Sequence, residues 1–303
     1  MKERTSAIFA IITCALFWGF SFISIKITVA VFPPMSLGFL RFAIALVFLF
    51  FIKLKFAQNE KLKAKDIPLL FFAGLSGVTL YFFFENNGVA LVTASEASIA
   101  IGAIPVLTMT ADWLSGKISK KRHGDYPRPG ALQWLGAFIS ISGVWLVAGV
   151  SLNISGSILG YLFMAGAAVC WVLYSLLTRP LFSRCSLIYI IFWQTAAGLI
   201  CFLPFSVIEI SRWGNPDLSV ILHLLFLGIF CSAVGYWLYA RSLDTLGMSV
   251  TAVFINLIPL ITVIFGFFIM KDRLTLLQWI GAALVIGGVY LSMMIKKNKG
   301  NSV

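Results

Sequence analysis

Apolar side chains follow one another along this chain in windows of about twenty, with polar residues held to short breaks between them. The windows fall at about 6–31, 35–52, 67–87, 93–114 and 131–150, then at about 157–178, 186–208, 219–240, 246–270 and 275–295. A helix rises about 1.5 Å per residue, so roughly 20 apolar residues cross the hydrocarbon core of a bilayer. The alternation of polar and apolar positions that marks a transmembrane strand is missing from these windows. The pattern predicts an all-α polytopic membrane protein of ten transmembrane helices.

Composition agrees. Of the 303 residues, 60% are hydrophobic and 11% charged, where a soluble domain carries about a quarter charged residues. The net charge of +12 could serve a phosphate backbone. However, the lysines lie in short loops between apolar windows, so no nucleic-acid partner is expected. Lys2 and Arg4 precede the first window without a clear cleavage site after it, which predicts a retained first helix. Cys14, Cys170, Cys185, Cys201 and Cys231 are scattered without C-x-x-C spacing. They suggest neither a disulfide framework nor a metal site.

The loop charges also predict orientation. With the N-terminus in the cytoplasm, the inner loops receive Lys2, Arg4, Lys53, Lys55, Lys61, Lys63, Lys65, Lys117, Lys120, Lys121, Arg122 and Arg128. They also receive Arg179, Arg184, Arg241, Lys296, Lys297 and Lys299, making 18 of the 23 basic residues. The positive-inside rule then places both termini in the cytoplasm. A multi-pass protein of a bacterial-type plasma membrane is expected.

The second half repeats the first. A shift of 153 lays Trp171 on Trp18, Arg179 on Lys26 and Gln194 on Arg41. A shift of 154 lays Gly228 on Gly74, Asn256 on Gly102 and Pro259 on Pro105. Gln278-Trp279-Ile-Gly281 then matches Gln133-Trp134-Leu-Gly136, the slip reflecting extra residues in the basic loop 117–129. Two units are expected, 1–150 and 151–303. Five spans is an odd number, so the second unit enters the membrane upside down. Inverted repeats of this kind recur in secondary transporters.

Several stretches resemble the EamA-type drug/metabolite transporters. Trp18-Gly19-Phe-Ser21-Phe22, Lys26, Pro33-Pro34 and Arg41-Phe42 look like that family's opening signature. Thr93-Ala-Ser95 through Pro105 is similar to its fourth span. Lys271-Asp272-Arg273-Leu274-Thr275 with Gln278-Trp279-Ile-Gly281 looks like its closing Gly-Glu-Arg-Leu-Thr motif, with Asp272 in place of the usual Glu. The first repeat lacks this acidic signature and carries the basic insertion instead. The resemblance implies ten helices, cytoplasmic termini and export of small metabolites, often amino acids.

Polar residues inside a bilayer cost roughly 2.5–3.5 kcal/mol per charge, so they usually face a cavity or a partner. Glu85 and Asn86, with Asn87, close the third window, and Glu96 opens the fourth. Lys26 and Arg41 lie on the order of 9 Å from the outer ends of their helices. Together they can line the outer part of a pathway and meet a substrate's carboxylate and ammonium. The competing reading has Lys26 and Arg41 snorkelling to the interface while the glutamates sit among headgroups. Trp18 and Trp171, paired by the repeat, join Tyr174 and Asn256 as candidate substrate-binding residues, with Tyr236, Trp237 and Tyr239 nearby. Ala94, Ser98 and Gly102 form a small-residue face suited to helix packing. Tyr239 answers Glu85 in the repeat and is expected near the inner surface beside Arg241.

These features point to a secondary transporter of a small polar metabolite, an amino acid or related compound, working by alternating access, and the resemblance alone implies that it is an exporter. There is no Walker-type nucleotide motif, and no cofactor is expected. The energy source is then a substrate gradient or coupling to protons, with Glu85 the proton-linked candidate. A channel is the first alternative. An intramembrane enzyme is the second, and it lacks support from any H-E-x-x-H or paired-aspartate pattern.

Overall fold

The computed structural model describes residues 2–57, 59–118, 129–147, 157–270 and 275–294. The basic loop 119–128, the boundary between the two expected units at 150, the closing motif 271–274 and the C-terminal lysines lie outside these residues. Among the described residues there are helices and no strands. The first five spans are Lys2–Val29, Pro34–Phe56, Ala64–Leu91, a fourth in two pieces (Ala94–Ile101 and Ile104–Ile118), and Ala131–Val147. The second five are Ile158–Thr178, Leu187–Glu209, Leu218–Leu246, a ninth in two pieces (Met248–Phe254 and Leu257–Met270), and Leu276–Met293. Nine of the described spans are long and apolar enough to cross a membrane, and the fifth is a shorter apolar helix.

The broken fourth and ninth spans follow from their prolines. Pro105 and Pro259 each lack an N–H and crowd the carbonyl four residues earlier, at Ile101 and Ile255. The backbone tightens there. Gly102 N–H bonds to Ile99 O at 2.8 Å, and Asn256 N–H bonds to Val253 O at 3.1 Å. Both breaks thus fall at the repeat-related pair Gly102 and Asn256.

The third and eighth spans share another irregularity, a π-helical segment at Leu75–Leu80 and at Leu227–Val234. Single-turn π segments are uncommon and gather at functional sites. Each begins at a glycine on which a neighbouring helix rests, Gly74 just before the first segment and Gly228 at the second residue of the other. A Cβ on Gly74 would strike the carbonyl of Gln194, and one on Gly228 would meet Ile44 and the carbonyl of Arg41. Gln194 and Arg41 are themselves repeat partners, so one contact is the symmetry image of the other. The fifth and tenth spans repeat the lesson. Gly136 lies against Gly288, and Gly143 against Gly281. One register rises as the other falls, so these helices are antiparallel, as two inverted five-helix repeats require. Lipid offers little apolar drive, and close backbone approach supplies the packing instead.

Because successive spans alternate in direction, the loop with Lys61, Lys63 and Lys65 marks one end of the bundle. The turns at 30–33 and 92–93 mark the other.

Candidate functional site

A small cavity of about 20 Å³ lies between the two halves. Its polar lining is Arg41, Glu85 and Ser21, and its aromatic walls include Trp18, Tyr81, Phe82, Trp171 and Tyr236. The volume holds one or two waters. Arg41 is seven residues into the second span, and Glu85 six from the end of the third. Both therefore sit about 10 Å in from the end opposite the lysines.

Each charged group is held by one partner and left open elsewhere. The Arg41 Nε donates to Ser232 Oγ at 2.9 Å, and the guanidinium lies 4.2 Å from the centroid of the Phe82 ring. The Tyr81 hydroxyl donates to Glu85 Oε1 at 2.8 Å, from one helical turn earlier. Arg41 Nη1 and Glu85 Oε2 are buried with no hydrogen-bond partner. Removing a charged group from water without full compensation is costly. A cavity that keeps one cation and one anion incompletely satisfied is suited to a ligand carrying both charges.

Toward the lysine-rich end the cavity is stopped by stacked rings. Trp18 and Trp171 meet edge to face with centroids 5.1 Å apart, and Tyr239 packs on Trp171 at 4.8 Å. Trp171 Nε1 donates to the Tyr239 hydroxyl at 3.1 Å, and Ser175 Oγ is 2.9 Å from the same oxygen. Tyr174 is fully buried beside Trp171, its ring covering Gly77. Tyr239, expected near the inner surface beside Arg241, lies seven residues from the lysine-rich end of the eighth span, but it does not share the surroundings of Arg241. Tyr239 is wholly buried, because it points into the bundle, while Arg241 binds Ser6 and lies over Trp237.

Of the nine residues singled out in the sequence, Trp18, Arg41, Glu85 and Trp171 line the cavity, and Tyr174 packs directly behind Trp171. The other four have structural partners away from it. Lys26 donates to the carbonyls of Val89, Ala90 and Val92, closing the C-terminal end of the third span. Asn86 donates to Pro34 O at 2.8 Å, tying the third span to the start of the second. Glu96 completes a capping box with Thr93 and accepts from the Tyr161 hydroxyl at 3.0 Å. Asn256 donates to Ser140 Oγ at 2.9 Å, joining the ninth span to the fifth. The sequence reading did not single out Tyr81 or Ser232. Tyr81 was legible as the residue one turn before Glu85. Ser232 was not, since its contact with Arg41 joins residues 191 apart.

A second buried charge cluster sits at the lysine-rich end. Arg179 Nη1 lies 2.8 Å from Asp112 Oδ1, and Ser249 Oγ donates to Asp112 Oδ2 at 2.9 Å. These contacts bind the fourth, sixth and ninth spans together.

The EamA-like transporter family model matches residues 5–149 and again residues 158–294, once per half. This chain belongs to that family. An uncharacterized transporter of Archaeoglobus fulgidus is 30% identical over 279 residues, covering 91% of this chain and 94% of that protein. A probable terminal-alkyne amino-acid exporter of Streptantibioticus cattleyicolor is 22% identical, covering 95% of this chain and 94% of its own length. A crystal structure 21% identical in sequence matches with a TM-score of 0.74 over 95% of this chain and 96% of that one, which shows the shared fold. As an EamA-like transporter, the chain is a multi-pass membrane protein.

Proposed function

We propose that this transporter exports a small zwitterionic metabolite, an amino acid or a close relative, by alternating access. One observation carries the reading: Arg41 and Glu85 face a single cavity, each with a buried, unpartnered polar atom. The guanidinium would take the substrate carboxylate, for which its fork geometry is suited. Glu85 would take the ammonium. The walls of Trp18, Phe82 and Trp171 would cover the side chain, favouring a planar or apolar one. Ser21 and Tyr236 also line the cavity. The name of the Streptantibioticus relative points the same way for substrate class and direction.

In this reading the lysine-rich end is cytoplasmic, by the positive-inside rule, and the protein resides in the plasma membrane with both termini inside. The closed aromatic stack then blocks the cytoplasmic route. The two repeats exchange roles when the cavity opens inward. Glu85 is the residue through which protons are coupled, since a buried carboxylate can trade a proton for a substrate ammonium.

Counterflow of radiolabelled amino acids in proteoliposomes tests this. Substrate on the far side should accelerate entry of label, as in a carrier, and Glu85→Gln should both slow exchange roughly tenfold or more and flatten its pH profile. A conductance without counterflow would instead establish a channel.

A further inference from the structure

Apart from the substrate cavity, the surface carries an apolar groove of about 420 Å³ between the second, seventh and eighth spans. Phe48, Ile52 and Phe56 form one wall at helical spacing. Ile188 forms the second wall, and Ala233, Val234 and Trp237 the third. No polar atom lines it. The volume is on the scale of one lipid acyl chain. Phe56 closes the second span and Ile188 opens the seventh, so the groove belongs to the half of the bilayer on the lysine-rich side.

What distinguishes this groove from an ordinary lipid-facing surface is its rim. The Lys55 ammonium lies 5.5 Å from the centroid of the Phe56 ring, and the Arg241 guanidinium 5.6 Å from that of Trp237. Two cations thus rest on two of the rings that wall the groove. Lys53 adds a third nearby, 5.2 Å from the centroid of Phe192. Basic residues beside a cleft between transmembrane helices, at headgroup depth, are a recognition pattern for anionic lipid.

We propose that this groove is a binding site for an anionic phospholipid, one acyl chain lying along Phe48–Phe56 and the headgroup phosphate held by Lys55 and Arg241. The site also touches the transport machinery. Ala233 follows Ser232, whose hydroxyl holds Arg41, so a chain in the groove packs against the π segment that positions the guanidinium.

The test uses the full-length chain in phosphatidylcholine nanodiscs doped with either phosphatidylglycerol or further phosphatidylcholine bearing brominated acyl chains. Bromine quenches nearby indoles, and the Trp237 contribution is read as the difference between the parent chain and Trp237→Phe. The expected result is half-maximal quenching at a roughly tenfold lower mole fraction of phosphatidylglycerol, in keeping with attraction of an anionic headgroup by two cations. The Lys55→Gln/Arg241→Gln pair should remove that preference, and Val234→Phe, which fills the groove, should reduce quenching by both lipids. Should Trp237→Phe fail to reconstitute, native mass spectrometry of the parent and the rim pair reads the same preference from retained phosphatidylglycerol. Equal quenching by the two lipids, a preference that survives the rim pair, or protection of Trp237 by a second copy of the chain would each overturn the proposal.

Discussion

The repeat sets two half-sites against each other, and they differ in charge. In the first half, the second span contributes Arg41 and the third Glu85, and both line the cavity. In the second half, the symmetric positions hold Gln194 and Tyr239. Gln194 Nε2 donates to Thr178 Oγ1 at 2.9 Å, and Tyr239 closes on Trp171 and Ser175. The two sides share their π segments and glycine contacts. The side chains make one half-site ionic and the other neutral. In the proposed alternating-access cycle, this broken symmetry of four side chains would decide which of the two conformations holds a charged ligand.

The most damaging way to erase this difference is Arg41→Gln, which gives the first half the side chain of its counterpart. Loss of one partner from a buried charged set costs about 2–5 kcal/mol, so exchange in proteoliposomes should fall roughly 100-fold or more. Transport at the parent rate would remove Arg41 from the site.

The closure at the lysine-rich end comes next. Asp112→Asn removes the carboxylate charge 2.8 Å from Arg179 Nη1, and breaking a buried pair is strongly destabilising. This closure should loosen, so that Thr178→Cys in the Asp112→Asn background reacts with a small maleimide several-fold faster than in the parent background. Equal rates would mean that the pair does not hold that end shut.

Ser232→Ala is a finer probe, because it leaves both charges in place and deletes only the bond to Arg41 Nε. Hydrogen bonds to charged groups contribute about 1.5–3 kcal/mol. The KM for exchange should rise roughly tenfold, with Ser232→Thr restoring most of it. A change in maximal rate alone would argue against a positioning role.

The smallest effect belongs to Lys26→Met. Lys26 is the counterpart of Arg179, yet it caps carbonyls at the end of a helix rather than pairing with an acid. Such carbonyls can turn to water or headgroups, so exchange should change less than about twofold, with a modest loss of thermal stability. A collapse of transport would restore Lys26 to the pathway and break the contrast between the two ends.

The sequence by itself determined the membrane architecture. Continuous apolar windows can cross a bilayer only as helices whose backbone groups satisfy one another, and the ordered matches from Trp18 to Gly281 imposed two inverted halves. It also marked Arg41 and Glu85, since ionised groups within apolar spans need a reason to be there. The tertiary structure decided which polar residues share a cavity. Lys26, Asn86, Glu96 and Asn256 read in sequence much like Arg41 and Glu85, but they bond to Val89, Pro34, Thr93 and Ser140 instead. Ser232 was invisible for the opposite reason: a serine in an apolar run carries no local signal. Its role arises from the π segment that turns it toward a guanidinium 191 residues away. Hydrophobicity accumulates along a chain and can be read one residue at a time, whereas a hydrogen bond exists only between two groups that folding has brought to within about 3 Å.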